Sequence, residues 1–240
     1  MSTQPRFADL ILFENDNLIV VNKPPFIATL EDRSSPINLL QMARKYALDA
    51  QACHRLDKET SGVIIFAKNP EAYRHIAIQL EKRKVQKIYH AIVEGNASFD
   101  HLLIDLPIKQ TTTGTVRIDF KEGKEAKTEF HTLKTFQHYQ LVECKLYSGR
   151  MHQIRIHLAS QNASIAADEM YKGEKPMLSK LKSKFRLGKY AKEQPIIDRV
   201  ALHAYSVSFE DLSGEIITAV APYPKDMEVF LKILDKYDSQ

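Results

Sequence analysis

From residue 54 to residue 67 the chain reads His54-Arg55-Leu56-Asp57-Lys58-Glu59-Thr60-Ser61-Gly62 and then Val63-Ile64-Ile65-Phe66-Ala67. The apolar half is rich in β-branched residues and predicts a buried strand. The polar half carries imidazole, guanidinium, carboxylate, amine and hydroxyl groups, which cost stability unless solvent or a ligand engages them. Because catalytic residues are common on loops that a rigid strand positions, this stretch is the first candidate for a functional site.

Asp57 is the strongest candidate for a reactive group in this loop. A carboxylate can attack an electrophilic carbon while neighbouring cations keep it ionised. A structural interpretation, in which Asp57 closes a turn or pairs with Arg55, is equally compatible with the motif alone.

Strand and helix signals follow one another along the chain without a regular β-α-β alternation. Strand patterns occupy Leu10–Lys23 (a hairpin around Asn15-Asp16-Asn17), Val63–Ala67, Gln86–Glu94, Ala126–Phe136, Gln140–Tyr147, Val200–Phe209 and Glu215–Ala221. Caps and prolines predict helices over Pro36–Ala47 after Ser35, Pro70–Lys84 after Asn69, and Lys225–Tyr237. This order predicts an α+β fold with a mixed, mostly antiparallel central sheet flanked by helices.

The length of 240 residues and the 44% of hydrophobic side chains predict a single domain, residues 1–240, with an ordinary core. The two cysteines, Cys53 and Cys144, are too few for a disulfide framework or a zinc site of their own, so a reduced compartment is expected. No apolar run reaches the roughly 18 residues that a membrane span requires, and no signal-peptide pattern is present. We therefore expect a cytoplasmic protein without a membrane partner.

The net charge of +4 is too small to identify a partner. Its distribution is more informative, because eight basic residues and one acidic residue, Glu174, lie between residues 172 and 192. Such a run is either a solvated surface or an insertion that follows RNA phosphates, with binding that weakens as salt rises. The candidate phosphate contacts are Lys175, Lys180, Lys182, Lys184 and Arg186.

A second polar cluster occupies Ser148–His157. Its apolar residues alternate as in a strand, but Ile154 and Leu158 are also four residues apart as in a helix, so the pattern leaves both structures open. Its side-chain donors include Arg150, Gln153 and Arg155.

The histidines of this cluster do not predict a metal site. His152 and His157 are five residues apart, and no carboxylate lies within the cluster to complete a ligand set. No metal is predicted elsewhere in the sequence.

A third cluster, Lys87-Ile88-Tyr89-His90-Ala91, opens a predicted strand. On its own, Tyr89 fits a half-buried strand aromatic better than a catalytic group.

In this order the clusters resemble the RluA family of pseudouridine synthases, which isomerise specific uridines in ribosomal or transfer RNA. The resemblance runs from FENDNLIVVNKP through HRLDKETSG, KIYHAIVEG and SGRMHQIRIHLAS to ALHAYSVSF and APYPKDM, and so spans nearly the whole chain. HRLDKETSG is its most specific motif. The resemblance implies the pseudouridine synthase fold with a positively charged active-site cleft, an RNA substrate and no cofactor.

The resemblance also implies roles for individual residues. The aspartate of the HRLD motif is catalytic and corresponds to Asp57. Tyr89 corresponds to the tyrosine that stacks on the target base and is a candidate for proton transfer at C5. Arg155 corresponds to the ionic partner of the aspartate, and Ile154 beside it to a pocket-lining residue.

The implied reaction breaks the bond between N1 and C1′, turns the uracil and joins C5 to C1′. One carboxylate suffices, either by attacking C1′ or by assisting the formation and capture of a glycal, and the sequence leaves both routes open. The uridine must first leave its stack. The residues expected to fill the vacated space or to contact the substrate are His54, Arg55, Arg150 and Gln153.

Three features depart from the family pattern. No S4-type RNA-binding module precedes the first strand, and residues 162–168 replace a glycine-rich run that many relatives carry. The basic segment at about 172–192 is expected to be an insertion that supplies RNA contact. A monomer is the simplest expectation for an enzyme that approaches a bulky RNA.

Two other functions remain as alternatives. A non-catalytic RNA-binding protein on the same scaffold would have no use for Asp57. A hydrolase that pairs Asp57 with Glu59 is less favoured, since an arginine partner would lower both pKa values instead of separating them.

Overall fold

The computed structural model describes residues 5–31, 37–188 and 191–239. Its strands are β1 Ile11–Glu14, β2 Leu18–Lys23, β3 Gln51–Ala52, β4 Ser61–Ala67, β5 Gln86–Glu94, β6 Leu102–Asp105, β7 Ile108–Gln110, β8 Val116–Ile118, β9 Lys127–Thr135, β10 Tyr139–Leu146, β11 Leu202–Glu210 and β12 Ile216–Val220. Its helices are α1 Leu39–Tyr46, α2 Pro70–Glu81, α3 Gln153–Ser160, α4 Leu178–Leu181 and α5 Lys225–Tyr237. The chain divides into unit 1, residues 1–89 and 203–223, and unit 2, residues 90–202 and 224–240.

Unit 1 is built around β4, whose side chains are all buried. β2 pairs antiparallel with both β1 and β4. The face of β4 that carries Ile65 belongs to one core cluster with Ile76 of α2. The opposite face, with Ile64, shares a second cluster with Leu39 and Ala43 of α1. Burying an aliphatic side chain of this size contributes about 2 kcal/mol, so packing on both faces makes β4 a rigid support for the loop before it.

Gly62 determines how closely β11 approaches β4. The two strands run parallel, with Ala204 opposite Gly62 and His203 opposite Ser61. Gly62 has a φ of +114°, and a Cβ at this position would lie 2.1 Å from the carbonyl oxygen of Ala204. Only glycine satisfies both conditions. The approach also lets the Ser61 hydroxyl and Nδ1 of His203 form a buried hydrogen bond of 2.9 Å.

Unit 2 contains a purely antiparallel group of strands, in which β9 pairs with β6 and with β10. A separate hairpin is formed by β7 and β8. Val116 of this hairpin is buried in a small core with Tyr171, and α3 contributes Ile156 to it. The terminal helix α5 packs Phe230 against Tyr139 of β10, with ring centroids 5.3 Å apart.

The α+β class is confirmed, with mostly antiparallel strand pairs and the parallel pair of β4 and β11. The hairpin of β1 and β2 is present, and α5 has the predicted bounds. The ambiguous cluster after residue 148 forms a helix, α3. That the two units act as one domain stays a prediction.

Two predicted helix bounds are wrong. The first helix begins at Leu39, because Asn38 accepts a hydrogen bond from the Gln41 amide and the Gln41 side chain accepts one from the Asn38 amide. The expected cap and start at Ser35 and Pro36 lie outside the described residues. α2 ends at Glu81, before Arg83 adopts a φ of +58°.

Three strands of unit 2 were not predicted: β6, β7 and β8. They are three or four residues long, and two adjacent leucines of β6 are exposed, so no alternating pattern marks them. Within the described residues, no helix has both the length and the apolar character that crossing a membrane would need.

Candidate active site

The loop that carries Asp57 is fixed on its N-terminal side by one buried hydroxyl. Thr29 is 2% exposed, and its Oγ1 donates to the Leu56 carbonyl at 3.0 Å. The same oxygen accepts a hydrogen bond from the Leu56 amide at 3.0 Å. The backbone amide and carbonyl of Leu56, the residue before Asp57, are therefore both held by the Thr29 side chain.

The C-terminal side of Asp57 is fixed by a buried ammonium group. Lys23 is fully buried, and its Nζ donates to the carbonyls of Ile27, Pro24 and Lys58 at 2.8, 3.0 and 3.1 Å. The Lys58 carbonyl also accepts a hydrogen bond from the Phe26 amide at 2.8 Å. Residues on both sides of Asp57 are thus tied to the segment after β2, which limits the positions that the carboxylate can reach.

Asp57 and Tyr89 are neighbours in unit 1. Tyr89 is half-buried and packs against the core on the α2 side of β4. Burial and the negative charge of Asp57 hold the pKa of the Tyr89 phenol well above its usual range. A charge effect of this kind requires proximity, so the structure brings together two of the three predicted catalytic residues.

The His54 side chain forms a hydrogen bond within the protein. Its Nε2 accepts a hydrogen bond from the Ile65 amide at 3.2 Å, which requires a ring without a proton on that nitrogen. Burial, and to a lesser extent the charge of Lys87, lowers the pKa of His54 from 6.5 to about 3. A neutral imidazole thus anchors the loop to β4, and its contact with substrate stays a prediction. Arg55, the next residue, is exposed.

Arg155 lies on α3 in unit 2 and is 8% exposed. Its Nε and Nη2 donate to the two carboxylate oxygens of Asp168 at 2.7 and 2.6 Å. The guanidinium also lies over the ring of Tyr171, 5.0 Å from the centroid. Asp168 is therefore a bidentate partner of Arg155, a pairing that the sequence did not predict. The predicted partner, Asp57, belongs to unit 1, and that pairing stays a prediction.

Gln153 is 2% exposed and uses its whole amide within unit 2. Its Oε1 accepts from the Ser148 hydroxyl and the Arg150 amide, at 2.9 and 3.0 Å. Its Nε2 donates to the Thr128 hydroxyl and the Lys127 carbonyl, at 2.9 and 3.0 Å. A side chain with these four bonds holds the turn before α3, in place of the predicted substrate contact.

The other predicted substrate contacts of this cluster differ in exposure. The Arg150 guanidinium is exposed, although its Nε donates to the Glu125 carbonyl at 3.1 Å. Ile154 is buried on α3. Their contacts with substrate stay predictions.

The basic segment is partly neutralised by nearby acids. Lys175 lies 2.7 Å from Asp198, and Lys180 lies 2.6 Å from Glu174. Lys182 lies over a tyrosine ring of α5 at 5.5 Å. Lys184 and Arg186 are exposed, and among the described residues neither has an acidic partner. Lys189 and Tyr190 lie outside the described residues.

Two residues of this site were missed in the sequence, Lys23 and Thr29. The available signal was a lysine at the end of a mostly apolar strand, directly before Pro24-Pro25. A lysine in that place resembles an ordinary surface charge, and only the bend of the following segment surrounds it with carbonyls.

The site thus contains a half-buried carboxylate on a backbone-fixed loop, next to a phenol that keeps its proton. A family model described as RNA pseudouridylate synthase matches residues 17–160. The chain belongs to this family, and the predicted resemblance to its RluA branch is confirmed. The chain is thereby an RNA pseudouridine synthase, an isomerase.

Curated relatives of the family cover most of the chain. An uncharacterized RNA pseudouridine synthase of Bacillus subtilis, YhcT, is 33% identical over 95% of this chain and 73% of the relative. The ribosomal large subunit pseudouridine synthase D of Nitrosomonas europaea is 33% identical over 93% of this chain and 64% of the relative. The synthase C of Pasteurella multocida is 31% identical, with 95% and 69% covered. The chain thus spans about two thirds to three quarters of the length of these relatives.

Solved structures support the fold assignment. The human RNA pseudouridylate synthase domain containing 4 matches with a TM-score of 0.72 and 21% identity, over 95% of this chain and 94% of the human chain. The human domain containing 1 protein matches with a TM-score of 0.70 and 23% identity, over 95% and 87%. At these identities the likeness concerns the fold alone.

Proposed function

We propose that this chain converts specific uridines of large-subunit ribosomal RNA to pseudouridine, with Asp57 as the catalytic residue. The observation that carries the assignment of Asp57 is its position beside Tyr89, on a loop fixed by Lys23 and Thr29. The ribosomal substrate is inferred from relatives that are named as ribosomal large subunit pseudouridine synthases. Transfer RNA is the other substrate class, and the experiment below separates the two.

The reaction requires one carboxylate that acts at C1′ of the uridine. The N1–C1′ bond breaks, the uracil turns, C5 bonds to C1′, and the hydrogen on C5 passes to solvent while N1 gains a proton. Asp57 serves either as the nucleophile that attacks C1′ or as the group that assists the glycal. The fixed loop favours both routes, because the carboxylate loses little freedom when the sugar arrives.

For Tyr89, the raised pKa favours stacking over proton abstraction. A phenol that retains its proton at neutral pH is a poor general base, whereas its ring still offers a face to a flipped uracil. Proton transfer at C5, the second role expected from the resemblance, is thereby less favoured.

Arg55 is the residue that we propose to occupy the space left by the flipped uridine. It is exposed, next to Asp57 in sequence, and permanently charged. Its neighbour His54 is the weaker candidate for that role, because its Nε2 is held by the Ile65 amide. Removing the Arg55 side chain is expected to slow the reaction on a hairpin RNA more than on an unstructured strand.

Release of tritium from RNA labelled at uridine C5 tests the proposal directly, because isomerisation must exchange that hydrogen. We expect wild type to release tritium from large-subunit ribosomal RNA and Asp57→Asn to be at least about a thousandfold slower. Glu59→Gln, an exposed carboxylate of the same loop, is the matched control and should retain most of the rate.

Four results would contradict parts of the proposal. An unchanged rate for Asp57→Asn would remove Asp57 as the catalytic residue. Release from transfer RNA alone would overturn the ribosomal substrate. Tight RNA binding by wild type without tritium release would support the non-catalytic alternative, and strand cleavage that depends on Glu59 would support the hydrolase.

A further inference from the structure

A cluster of histidine and carboxylate side chains in unit 2 has no part in the proposed reaction. Asp100 and His101 directly precede β6, and His131 lies on β9, the strand that pairs with β6. One potential metal-ligand atom from each of these three side chains lies within 4.8 Å of the other two. Unlike the histidine pair considered on α3, this set includes a carboxylate and comes from two separate parts of the sequence.

His131 contains an unsatisfied polar atom at the centre of this cluster. Its Nδ1 is buried, and it has no hydrogen-bond partner among the described residues. The nearest carboxylate oxygen, Oδ1 of Asp100, lies 3.9 Å away, which is too far for a hydrogen bond. Buried polar atoms are nearly always paired, so an unpaired Nδ1 at this position is unusual. A bound ion would provide the partner that this nitrogen lacks.

The imidazole rings of His101 and His131 are stacked, with centroids 4.4 Å apart and planes at 15°. Because an imidazole binds an ion in the plane of its ring, one of the two rings must turn out of the stack for both nitrogens to reach the same ion. His101 adopts a φ of +49°, a left-handed conformation that is uncommon for residues other than glycine and is enriched at ligand sites.

Glu129 fixes the orientation of the His101 ring. Its Oε1 lies 3.0 Å from Nδ1 of His101, and its Oε2 accepts a hydrogen bond from the Tyr147 hydroxyl at 2.7 Å. Carboxylates that orient ligating imidazoles in this way are typical of metal sites.

We propose that Asp100, His101 and His131 bind one divalent transition-metal ion, with Zn²⁺ as the preferred ion and Glu129 as a positioning residue. Two imidazoles and one carboxylate form a donor set that zinc accepts, and they leave a fourth position for water or another oxygen ligand. Asp100 and His101 are largely exposed, at 95% and 64% of their side-chain surface, so the ion can enter from solvent. Because the ligands are exposed, we expect micromolar affinity.

The test is a zinc titration of the untagged, metal-free chain against a chromophoric zinc indicator. We expect one equivalent to bind with a micromolar dissociation constant, and His131→Ala or His101→Ala to weaken binding at least about tenfold. Glu129→Gln should weaken binding less than either. His75→Ala is the matched control, because His75 is a half-buried histidine of unit 1 that lies outside the cluster and bonds to the Glu210 carbonyl.

A second readout does not depend on the indicator. An ion that binds only the folded chain raises the unfolding temperature in proportion to its affinity and concentration. Zinc should raise the unfolding temperature of wild type and of His75→Ala but not of His131→Ala. Millimolar or absent binding by wild type would overturn the proposal, as would equal affinity of wild type and the double variant His101→Ala/His131→Ala. Isomerase activity enters neither readout, so failure of the metal site and failure of the proposed function are distinguishable.

Discussion

Lys23 shows how a single buried charge can organise a catalytic loop. An ammonium group without water is costly, and here three backbone carbonyls accept its hydrogens. Two of these carbonyls belong to the segment after β2, and the third belongs to Lys58, directly after Asp57. The cation therefore joins the segment after β2 to the loop that carries Asp57 through backbone carbonyls.

Lys23→Met is expected to lower the free energy of unfolding by roughly 3 kcal/mol, because it leaves three carbonyls without their donor. It should also lower the rate of tritium release, since the Asp57 loop loses one of its anchors. Lys84→Met, at an exposed lysine, is the control and should change stability by less than about 0.5 kcal/mol. Urea unfolding followed by circular dichroism measures both. Equal stabilities of the two variants would contradict the anchoring role.

His54 predicts how stability depends on pH. In the unfolded chain this imidazole takes up a proton near pH 6.5, whereas in the folded chain burial lowers its pKa to about 3. The unfolded state therefore binds more protons between these values, and stability falls as the pH falls through that window. At pH 4.5 the loss amounts to about 2 kcal/mol. Burial also lowers the pKa of His157, which acts in the same direction.

His54→Gln isolates this contribution, because a glutamine oxygen can accept the Ile65 amide hydrogen but does not titrate. We expect the variant to lose about 2 kcal/mol less than wild type between pH 7 and pH 4.5, measured by urea unfolding at each pH. Identical losses would show that His54 is not the acid-sensitive group.

At the scale of residues, the sequence indicated candidate reactive side chains better than it indicated their hydrogen-bonding partners. The order of the motifs around Asp57 and Tyr89 predicted that the two residues lie close together, and their catalytic roles stay predictions. The contacts of Gln153 were not predicted, because the identity of a residue does not show whether its amide bonds to substrate or holds a turn of the protein. The bidentate bond between Arg155 and Asp168 depends on the path of the chain between them, which no local pattern encodes.

Among the elements, the contact between β4 and β11 depends most on one residue. Gly62→Ala would place a Cβ 2.1 Å from the Ala204 carbonyl oxygen, at a φ of +114°. We expect a destabilisation of more than about 3 kcal/mol, because the backbone strain and the displacement of β11 add together.

Gly214→Ala is the matched control for that substitution. Gly214 also has a positive φ, +85°, but nothing lies within 4 Å of its Cβ position. Its cost should therefore be the backbone term alone, about 1 kcal/mol. Thermal unfolding of both variants measures the difference. Similar losses would show that the approach of β11 is not the constraint.

The starts of α2 and α5 were predicted correctly from local signals, whereas the helical state of α3, which depends on distant contacts, was not. Asn69 and Pro70 mark the start of α2, and α5 follows Pro224 with acids in its first turn. α3 has no side-chain cap, and His152 before it adopts a left-handed φ of +51°. Its helical state depends on buried bonds to residues elsewhere in unit 2, so apolar spacing alone left it undecided.

For the whole molecule, the distribution of positive charge matters more than its total. Three of the five predicted phosphate contacts already have an acid or a ring as neighbour, whereas Lys184 and Arg186 are exposed. A cation that is paired within the protein releases fewer counterions from RNA when it binds.

The double variant Lys184→Gln/Arg186→Gln should therefore reduce the slope of log affinity against log salt by roughly 1.5. Lys180→Gln, which removes a cation paired with Glu174, should change the slope much less. Filter binding of a ribosomal RNA fragment over a range of salt measures both. An unchanged slope for the double variant would show that this segment does not contact phosphates.

The bond between His54 and the Ile65 amide also has a consequence for synthesis on the ribosome. The strand partner of Ser61, His203, lies 142 residues further along the chain, so it emerges on the order of ten seconds later at ~5–20 residues per second. In that interval a free edge of β4 would be open to other nascent chains. Cys53 and His54 already occupy both polar groups of Ile65, and β3 covers Phe66 and Ala67. The segment directly before Asp57 can thus cover this part of the β4 edge before β11 has been synthesised.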